Sequence, residues 1–261
     1  MSLIGERRKM IILNQLNAKG QVKTFDLVKE LGVSAETIRR YLEELEAENR
    51  LKRKYGGAIK INLGAEEPSY LNREVLNAEE KRRIGQAAAE LVEDNDIIFI
   101  DDGTTPLQMI AYLTNKRHLT VLTMSMPALH ALMDYQTKGL FTGDIYFIGG
   151  KVNVMHSRVT GSIAERMASL FHVDKAFISI DGIVLDKAIT AFDAERGQLV
   201  SKVIDNAKST VVMTDNSKIG QVRLFKMADW RQVDLVISDV GRPPGWESTL
   251  DEHGVTWIEA L

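Results

Sequence analysis

The stretch that most constrains the fold of this chain is residues 34–58, which read SAETIRRYLEELEAENRLKRKYGGA. Ser34 is a good N-cap, because its side-chain oxygen can accept a hydrogen bond from a backbone N–H of the following first turn. Three apolar residues then recur at helical spacing and predict one buried stripe: Ile38, Leu42 and Leu45. Arg39 and Arg40 fall off this stripe, so we expect them to face water or a negatively charged partner.

A short basic segment follows this helix. Residues 51–58 contain three cations and end in Gly56 and Gly57, a pattern typical of a small β-hairpin. A helix that exposes arginines and precedes a basic hairpin indicates a winged helix-turn-helix, in which the second motif helix enters the DNA major groove and the wing lies on the backbone. We therefore predict that ten residues contact DNA: Ser34, Ala35, Glu36, Thr37, Arg39, Arg40, Lys52, Arg53, Lys54 and Tyr55.

The residues before this stretch complete the motif. Residues 6–17 have a helical pattern with three residues predicted to face inward: Met10, Leu13 and Leu16. Thr24 is predicted to cap a second helix over residues 25–31. Three helices and a hairpin fit within residues 1–60, which is the size of one DNA-binding module.

The charge distribution agrees with a nucleic-acid-binding N-terminus. Residues 1–60 contain 13 Lys and Arg against 8 Asp and Glu, whereas the remaining residues contain 20 against 28. A basic end on an acidic body suggests nucleic acid as the partner of the first part and a different partner for the second.

Composition excludes several other classes of protein. The chain has no cysteine, so disulfides and thiolate metal sites are excluded and a reducing cytosol is compatible. Its five histidines show no metal-ligand spacing, and no apolar run approaches a membrane span. We expect a cytoplasmic protein that needs no metal, no cofactor and no membrane.

The rest of the chain predicts a mainly parallel α/β domain over residues 78–261, joined to the first by a linker over residues 61–77. A helical pattern at residues 79–90 begins this domain. Apolar, strand-like runs follow at residues 97–100, 119–123, 145–148, 176–180, 211–214, 235–238 and 255–258. Helical patterns separate most of them, at residues 106–113, 127–135, 162–171 and 194–206. This alternation is typical of a sheet whose strands are mainly parallel.

The clearest local signal in this domain is the turn after its first strand, Asp101-Asp102-Gly103-Thr104-Thr105. In a parallel sheet such a turn lies at the carboxyl end of a strand, where ligands bind. Gly103 allows the backbone to approach closely, and the threonine hydroxyls and the N–H groups of the following helix can hold an anion. A plain strand-to-helix turn reads the same way, so the motif alone does not decide the question.

Other strands end in similar residues. Small or hydroxyl residues follow the next strands, at residues 123–125, 149–150 and 179–182. The fifth strand is followed by Asp215-Asn216-Ser217-Lys218, in which Ser217 supplies a hydroxyl and Lys218 a cation for an anionic ligand. We expect these groups to share one edge of the sheet.

The run VSAETIRRYLEELE, followed by RLKRKYGGAI, resembles the DeoR family of bacterial transcriptional regulators, and the resemblance continues to about Ser238. It implies an effector domain similar in fold to ribose-5-phosphate isomerase, which senses a phosphorylated sugar without catalysis. By position, the resemblance also implies the effector-binding residues: Asp101, Gly103, Thr104, Thr105, Thr123, Ser125, Gly149, Asp181, Glu195, Lys202, Ser217 and Lys218.

Four residues depart from the family pattern. Asn49, which lies outside the residues that the structure describes, stands where a Gly is common, but Asn also tolerates a left-handed conformation. Tyr41 stands where an Asp is usual and predicts altered contacts around the recognition helix. Asp102 stands where a Ser or Ala is usual, and a carboxylate beside a phosphate is unfavourable unless it points away or binds sugar hydroxyls. Met124 replaces a usual Asn and removes an amide from the site.

Two functions compete on this evidence. The first is a regulator, a repressor of a carbohydrate operon, which binds operator DNA as a dimer or tetramer under the control of a phosphorylated sugar or related metabolite. The alternative is a sugar-phosphate isomerase with an attached DNA-binding domain. Isomerases of this fold have a glycine-rich segment after an Asp-Gly pair, whereas residues 183–196 contain no Gly-Gly pair, which favours sensing. A purely architectural DNA-binding protein would leave the acidic α/β domain unexplained.

Overall fold

The computed structural model describes residues 3–47, 50–59 and 67–261. The chain divides into two compact units, Met1–Pro68 and Ser69–Leu261. Within the described residues, no helix combines the length and the apolar character needed to cross a membrane. The part of the predicted linker at residues 61–66 lies outside the described residues.

The first unit has the predicted order of three helices and a hairpin. Its elements are α1 (Leu3–Lys19), β1 (Gln21–Lys23), α2 (Thr24–Leu31), α3 (Ala35–Ala47), β2 (Lys52–Lys54) and β3 (Gly57–Ile59). The strands form one antiparallel sheet in the order β1-β3-β2. A Cβ on Gly57 would lie 2.0 Å from the Val22 carbonyl oxygen, so only glycine lets β3 lie against β1. This confirms the predicted winged helix-turn-helix.

The ends and faces of these helices test the local predictions. The backbone N–H of Thr37 donates to Ser34 Oγ at 3.2 Å, which confirms the predicted cap of α3. The predicted cap at Thr24 is wrong, because Lys23 occupies the N-cap position and makes no side-chain cap. Met10 is also 62% exposed rather than buried, because the stripe of α1 runs through its neighbour Lys9 instead.

The second unit alternates strands and helices as predicted. Its elements are α4 (Tyr70–Val75), α5 (Ala78–Glu90), β4 (Ile97–Ile100), α6 (Thr104–Leu107), β5 (Leu119–Thr123), α7 (Met126–Thr137), β6 (Gly143–Phe147), β7 (Lys151–Asn153), β8 (Arg158–Thr160), α8 (Ser162–Ala168), β9 (Val173–Ser179), β10 (Gly182–Val184), β11 (Ala188–Ala191), α9 (Ala194–Asp205), β12 (Ala207–Thr214), β13 (Phe225–Ala228), β14 (Leu235–Ser238), α10 (Glu247–Glu252) and β15 (Thr256–Glu259). Seven strands form one sheet in the order β15-β14-β12-β9-β4-β5-β6, and every pair of neighbours is parallel.

Apolar clusters cover both faces of this sheet. Phe99 of β4 belongs to one cluster together with residues of α8 and α9. Its neighbours Ile98 and Ile100 point to the other face and pack with residues of α5 and α7. Strands that are buried on both faces explain the continuous apolar runs in the sequence. The fold therefore brings the carboxyl ends of β4, β5, β9 and β12 together at one edge.

Three features differ from the sequence prediction. The predicted linker includes residues 69–77, but these lie within the second unit, because Tyr70, Asn72 and Arg73 are buried there. The helix predicted at residues 106–113 is the short α6 continued by a 3-10 helix, Gln108–Tyr112. Two small antiparallel elements, the β7–β8 hairpin and the β10-β11-β13 sheet, have no counterpart in the prediction.

Candidate functional site

The recognition helix α3 presents its predicted DNA-contacting residues on one side. Three apolar side chains anchor it in the core of the first unit: Ile38, Leu42 and Leu45. Arg39, Arg40 and Glu36 are exposed, and Ala35 and Thr37 are partly exposed. The guanidinium of Arg40 lies 3.9 Å from Glu44 and its carbon 5.9 Å from the ring centre of Tyr41. The first turns of α3 therefore offer cationic and small polar groups to a major groove.

Tyr41 does not belong to this surface. Its side chain is 7% exposed and packs in the core of the first unit. Its hydroxyl would lie 3.7 Å from a Cβ on Gly5 of α1. The expected change around the recognition helix is therefore a change in the packing beneath it.

The wing is basic and is fixed to α3. Lys52, Arg53 and Lys54 are all exposed on β2, and Tyr55 at the turn is fully exposed. Arg53 Nη1 donates to Glu43 of α3 at 2.8 Å, and the backbone N–H of Arg53 donates to Glu46 at 2.7 Å. These two bonds hold the wing beside the recognition helix.

The second candidate site is the turn after β4, where the structure shows a close fit. A Cβ on Gly103 would lie 2.3 Å from the Ser179 side chain, so only glycine fits between β4 and β9. Thr104 and Thr105, the first residues of α6, are 4% and 6% exposed. Asp101 is fully buried and its Oδ2 accepts bonds from the Ser179 N–H at 2.9 Å and from its hydroxyl at 2.8 Å.

A buried ionic network lies behind this turn. Arg196, near the start of α9, donates to Asp102 through Nε at 2.5 Å and to Asp101 through Nη2. Arg158 of β8 bridges Asp102 at 2.9 Å and Asp193 at 2.8 Å. Asp102 is fully buried and points toward these arginines. The carboxylate is thus neutralised within the protein, which removes the conflict that its position in the sequence suggested.

The two neighbouring carboxyl groups have different proton affinities. Burial raises the pKa of Asp101, although Arg196 opposes that effect. Burial acts in the same direction on Asp102, but Arg196 and Arg158 outweigh it and hold the pKa of Asp102 well below its usual range. The network therefore keeps a carboxylate at Asp102 as the counter-ion of both arginines.

A second group of charges lies near the same turn. Lys81 of α5 is 5% exposed, and its Nζ donates to the carbonyl oxygen of Arg73. Thr104 Oγ1 donates to the same oxygen through a long bond of 3.4 Å. Burial lowers the pKa of Lys81 to about 8; Lys218 and Arg73 act in the same direction, and Asp215 opposes them. An anion placed here would relieve the repulsion among these cations.

Asp215 organises the residues that follow β12. Burial favours its neutral form, but Lys218, hydrogen bonding from Ser217 and Lys81 together lower the pKa of Asp215. Its Oδ1 accepts bonds from the Ser217 N–H at 3.0 Å and from Asn77 Nδ2 at 2.8 Å. Ser217 is exposed and Lys218 is partly exposed. The structure therefore places Lys218, Lys81 and Thr104 around the carboxyl ends of two strands.

The residues predicted after β5 and β6 have local roles. Thr123 is fully buried and its Oγ1 accepts from the Ser125 N–H at 3.0 Å. Ser125 caps α7 by accepting from the Ala128 N–H at 3.2 Å. Met124 is fully buried in an apolar cluster, and Gly149 follows β6 and is partly exposed.

The residues predicted around α9 are spread along it. Asp181 is 4% exposed and accepts from the Phe192 N–H at 3.1 Å. Glu195 is exposed and accepts from Thr160 Oγ1 at 3.0 Å. Lys202 lies exposed in the last turn of α9, about 10 Å along the helix axis from Glu195. The helix thus brings Glu195 to the carboxyl edge and carries Lys202 away from it.

Sequence reasoning missed the buried cations. Arg73, Lys81, Arg158 and Arg196 all lie at this edge, and none was predicted. Lys81 and Arg196 could have been suspected, because each stands at the first inward-facing position of its helix. The buried residues are Lys81, Ile84, Gly85, Ala88 and Ala89 in α5, and Arg196, Gly197, Leu199, Val200, Val203 and Ile204 in α9.

Comparison with known proteins identifies both units. Residues 8–62 match the DeoR-like helix-turn-helix domain, and residues 76–240 match the DeoR C-terminal sensor domain. Among solved structures, ribose 5-phosphate isomerase A from Methanocaldococcus jannaschii is similar at 19% identity, with 55% of each chain covered and a TM-score of 0.39.

Curated relatives are similar over nearly their whole length. The HTH-type transcriptional repressor GlcR of Bacillus subtilis is 34% identical over 96% of this chain and 94% of its own. The glycerol-3-phosphate regulon repressor of Escherichia coli is 29% identical over 94% of both chains. The lactose phosphotransferase system repressor of Staphylococcus epidermidis is 29% identical over 87% of this chain and 89% of its own. The chain therefore belongs to the DeoR family of DNA-binding transcriptional regulators.

Proposed function

We propose that this protein represses a carbohydrate-metabolism operon and that a phosphorylated sugar or related metabolite controls its binding to the operator. The similarity to repressors named for glycerol-3-phosphate and lactose systems supports a carbohydrate signal. The observation that carries the proposal is the placement of Lys81, Lys218 and Thr104 at the carboxyl edge of a parallel sheet. Ligands of open α/β sheets bind at this edge.

The effector's anionic group is assigned to the turn at Gly103, Thr104 and Thr105. Two lysines and two hydroxyls lie there, and charge-assisted hydrogen bonds to a phosphate are stronger than neutral ones. The sugar part would extend toward Glu195 and Asp193, whose carboxylates lie at the start of α9; that of Glu195 is exposed and that of Asp193 partly exposed. Carboxylate oxygens accept hydrogen bonds from sugar hydroxyls.

A ligand screen tests this proposal directly. Thermal unfolding of the full chain is measured with sugar phosphates and with the corresponding unphosphorylated sugars. A ligand present at 100 times its dissociation constant adds about 2.7 kcal/mol of stability, which is readily detected. Each stabilising compound is then titrated into a complex of the protein with DNA selected from its own genome. Stabilisation by unphosphorylated sugars alone would contradict the assignment of the anionic group.

We propose sensing rather than catalysis at this site. Isomerases of this fold carry, after their Asp-Gly pair, a glycine-rich segment that ends in a catalytic carboxylate. Residues 183–196, which follow Asp181-Gly182 here, contain no Gly-Gly pair. In the ligand screen, NMR spectra recorded after incubation should therefore show each sugar phosphate unchanged, whereas conversion between aldose and ketose would favour the isomerase alternative.

Operator binding is proposed to need two or more copies of the chain. One winged helix covers too few base pairs for specificity, and two-fold symmetric proteins read matching half-sites. Sedimentation of the operator complex gives the number of chains, and a single chain per operator would contradict this.

Arg39→Ala is expected to weaken operator binding by about 1–3 kcal/mol while leaving binding to unrelated DNA nearly unchanged, if Arg39 contacts a base.

Arg53→Ala should instead weaken binding to both DNAs and flatten the salt dependence, because it removes a phosphate contact and the bond that fixes the wing to Glu43. Fluorescence titrations at several salt concentrations measure both effects. Arg231→Ala, an exposed change in the second unit, is the control. Wild-type affinity in the Arg39→Ala, Arg53→Ala double variant would overturn the assignment.

Effector binding is expected to weaken as pH rises through the pKa of Lys81, which is about 8. A bound anion favours the protonated ammonium, so neutral Lys81 binds it less well. The phosphate ester is already mostly dianionic above pH 7 and contributes little further change. From pH 7 to pH 9 the affinity should fall roughly tenfold, as the protonated fraction of such a group does. Calorimetric titration in Lys81→Met should show a flat profile over this range, and an equally steep profile would exclude Lys81 as the cause.

A further inference from the structure

Residues 69–77, here called the strap, cross the carboxyl edge of the sheet at the candidate effector site. The strap contains α4 and is fastened at both ends. The Tyr70 N–H donates to the Met155 carbonyl between β7 and β8 at 3.0 Å. At the other end, Asn77 Nδ2 donates to Asp215 Oδ1 beyond β12 at 2.8 Å.

The middle of the strap is held through one backbone oxygen. The Arg73 carbonyl accepts from Lys81 Nζ and from Thr104 Oγ1. The Arg73 guanidinium is also directed at this edge, with Nη2 4.0 Å from Asp102 Oδ2. Lys81 and Thr104 are the groups to which we assign the effector's anion, so the strap and the effector share the same donors.

Apolar packing contributes little to holding the strap. Leu71 and Val75, one helical turn apart on α4, are 72% and 49% exposed. Of the large apolar side chains in α4, Tyr70 is buried, with 7% of its surface exposed. A segment held mainly by polar contacts opens at low free-energy cost when those contacts are replaced.

We propose that the effector's anionic group loosens the middle of the strap by drawing the donors of Lys81 and Thr104 away from the Arg73 carbonyl. This rests on the proposed function, because it requires an anion at that site. A phosphate oxygen is a stronger acceptor than a neutral carbonyl, and the single hydroxyl proton of Thr104 cannot serve both. The Lys81 ammonium has three donors, so its bond to the carbonyl is weakened rather than excluded when its charge turns toward the anion. Ser69 is the first residue of the second unit, so loosening the strap would loosen the segment with which that unit begins.

Hydrogen exchange of the ligand-free full chain tests the attachment without any effector. Lys81→Met and Thr104→Val keep the approximate shape of each side chain and remove the donor. Each is expected to speed exchange of the strap amides, roughly tenfold in the double variant. Lys116→Met is the matched control, because Lys116 Nζ donates to a backbone carbonyl, that of Val92, at 2.5 Å elsewhere in the same unit. It should leave the strap unchanged.

The second arm uses inorganic phosphate on the wild-type chain. The proposal expects slower exchange at residues 104–107 and faster exchange in the strap. If the strap amides of the double variant exchange at the wild-type rate, Lys81 and Thr104 do not hold the strap and the proposal is wrong. Phosphate that protects residues 104–107 and also protects the strap would overturn the loosening but leave the proposed anion site standing. No effect of phosphate or of any sugar phosphate at either segment would contradict the anion site itself and, with it, the loosening.

Discussion

Replacing Arg196 with methionine is expected to destabilise the sensor domain by about 3–5 kcal/mol, because it removes one partner of a buried ionic network. For a domain of this size, that corresponds to a fall of about 10 °C in the unfolding midpoint. The Arg196 guanidinium contacts both Asp101 and Asp102 and also donates to the Ser179 carbonyl at 2.9 Å. Its loss leaves two adjacent buried carboxyl groups with Arg158 as the main remaining counter-ion.

Calorimetry of the full chain measures the change, with Arg242→Met as the control. Arg242 pairs with Asp251 at 2.8 Å, but both side chains are partly or largely exposed, so its removal should cost less than about 1 kcal/mol. Adding Asp102→Asn to Arg196→Met should cost less than the sum of the single changes, since the neutral amide that replaces the carboxylate needs no counter-ion. Equal effects of Arg196→Met and Arg242→Met would contradict a network that holds the domain together.

The same network predicts how the difference depends on pH. Its arginines hold the pKa of Asp102 well below the usual range in the folded wild-type chain. A depressed carboxyl pKa contributes stability that is present above the unfolded-state pKa and is lost as pH falls toward the folded-state pKa. The difference in unfolding free energy between wild type and Arg196→Met should therefore become smaller as the pH falls.

The parts of the fold that follow from regular patterns were predictable. Seven apolar runs predicted the seven parallel strands. The runs are most continuous in the central strands, because these are buried on both faces, whereas the edge strands β6 and β15 are partly exposed. Ser34 predicted the start of α3 through its capping chemistry. Both the apolar runs and the cap are local features, so they can be recognised without knowing which segments pack against them.

Apolar periodicity did not predict the cations that are buried on the inward-facing sides of helices. In α1 the apolar Met10 was expected inside, yet it is 62% exposed while Lys9 is 3% exposed and pairs with Glu44 at 2.6 Å. Lys81 and Arg196 likewise take the first buried position of their helices. A lysine or arginine becomes an acceptable interior residue only when an acceptor from a distant segment meets it. That partner cannot be read from the helix itself.

The strap falls within the predicted linker for a related reason. Residues 69–77 have no apolar stripe, since Leu71 and Val75 face outward. Their attachment depends on a backbone carbonyl and on Asn77, groups that leave no periodic signal. The Asp101 to Thr105 turn could be found because a glycine and hydroxyls follow an apolar strand, but its cationic partners come from α5 and from the residues after β12.

Thr105→Val and Lys218→Met together are expected to abolish the response to the effector while leaving operator binding intact. At the proposed site each change would remove one charge-assisted hydrogen bond to the anion, worth about 1.5–3 kcal/mol, so the double variant should bind the effector at least about 100-fold more weakly. Neither residue belongs to the DNA-binding unit. The expected phenotype is that of a super-repressor, which holds its operator at effector concentrations that release the wild type.

Titrating the effector into a labelled operator complex measures this release, and Lys208→Met provides a matched control. Lys208 lies at the start of β12 and Lys218 just beyond its end, so the two lysines flank the same strand at opposite edges of the sheet. Lys208 pairs with Asp174 at 2.6 Å and is largely exposed, and its loss should leave the response unchanged. Because coupling between two sites is reciprocal, operator DNA should also weaken effector binding to the wild type by the factor by which effector weakens operator binding. If the double variant releases DNA at the wild-type effector concentration, the anion binds elsewhere, and the exposed Lys202 and Lys151 around α9 become the cations to replace next.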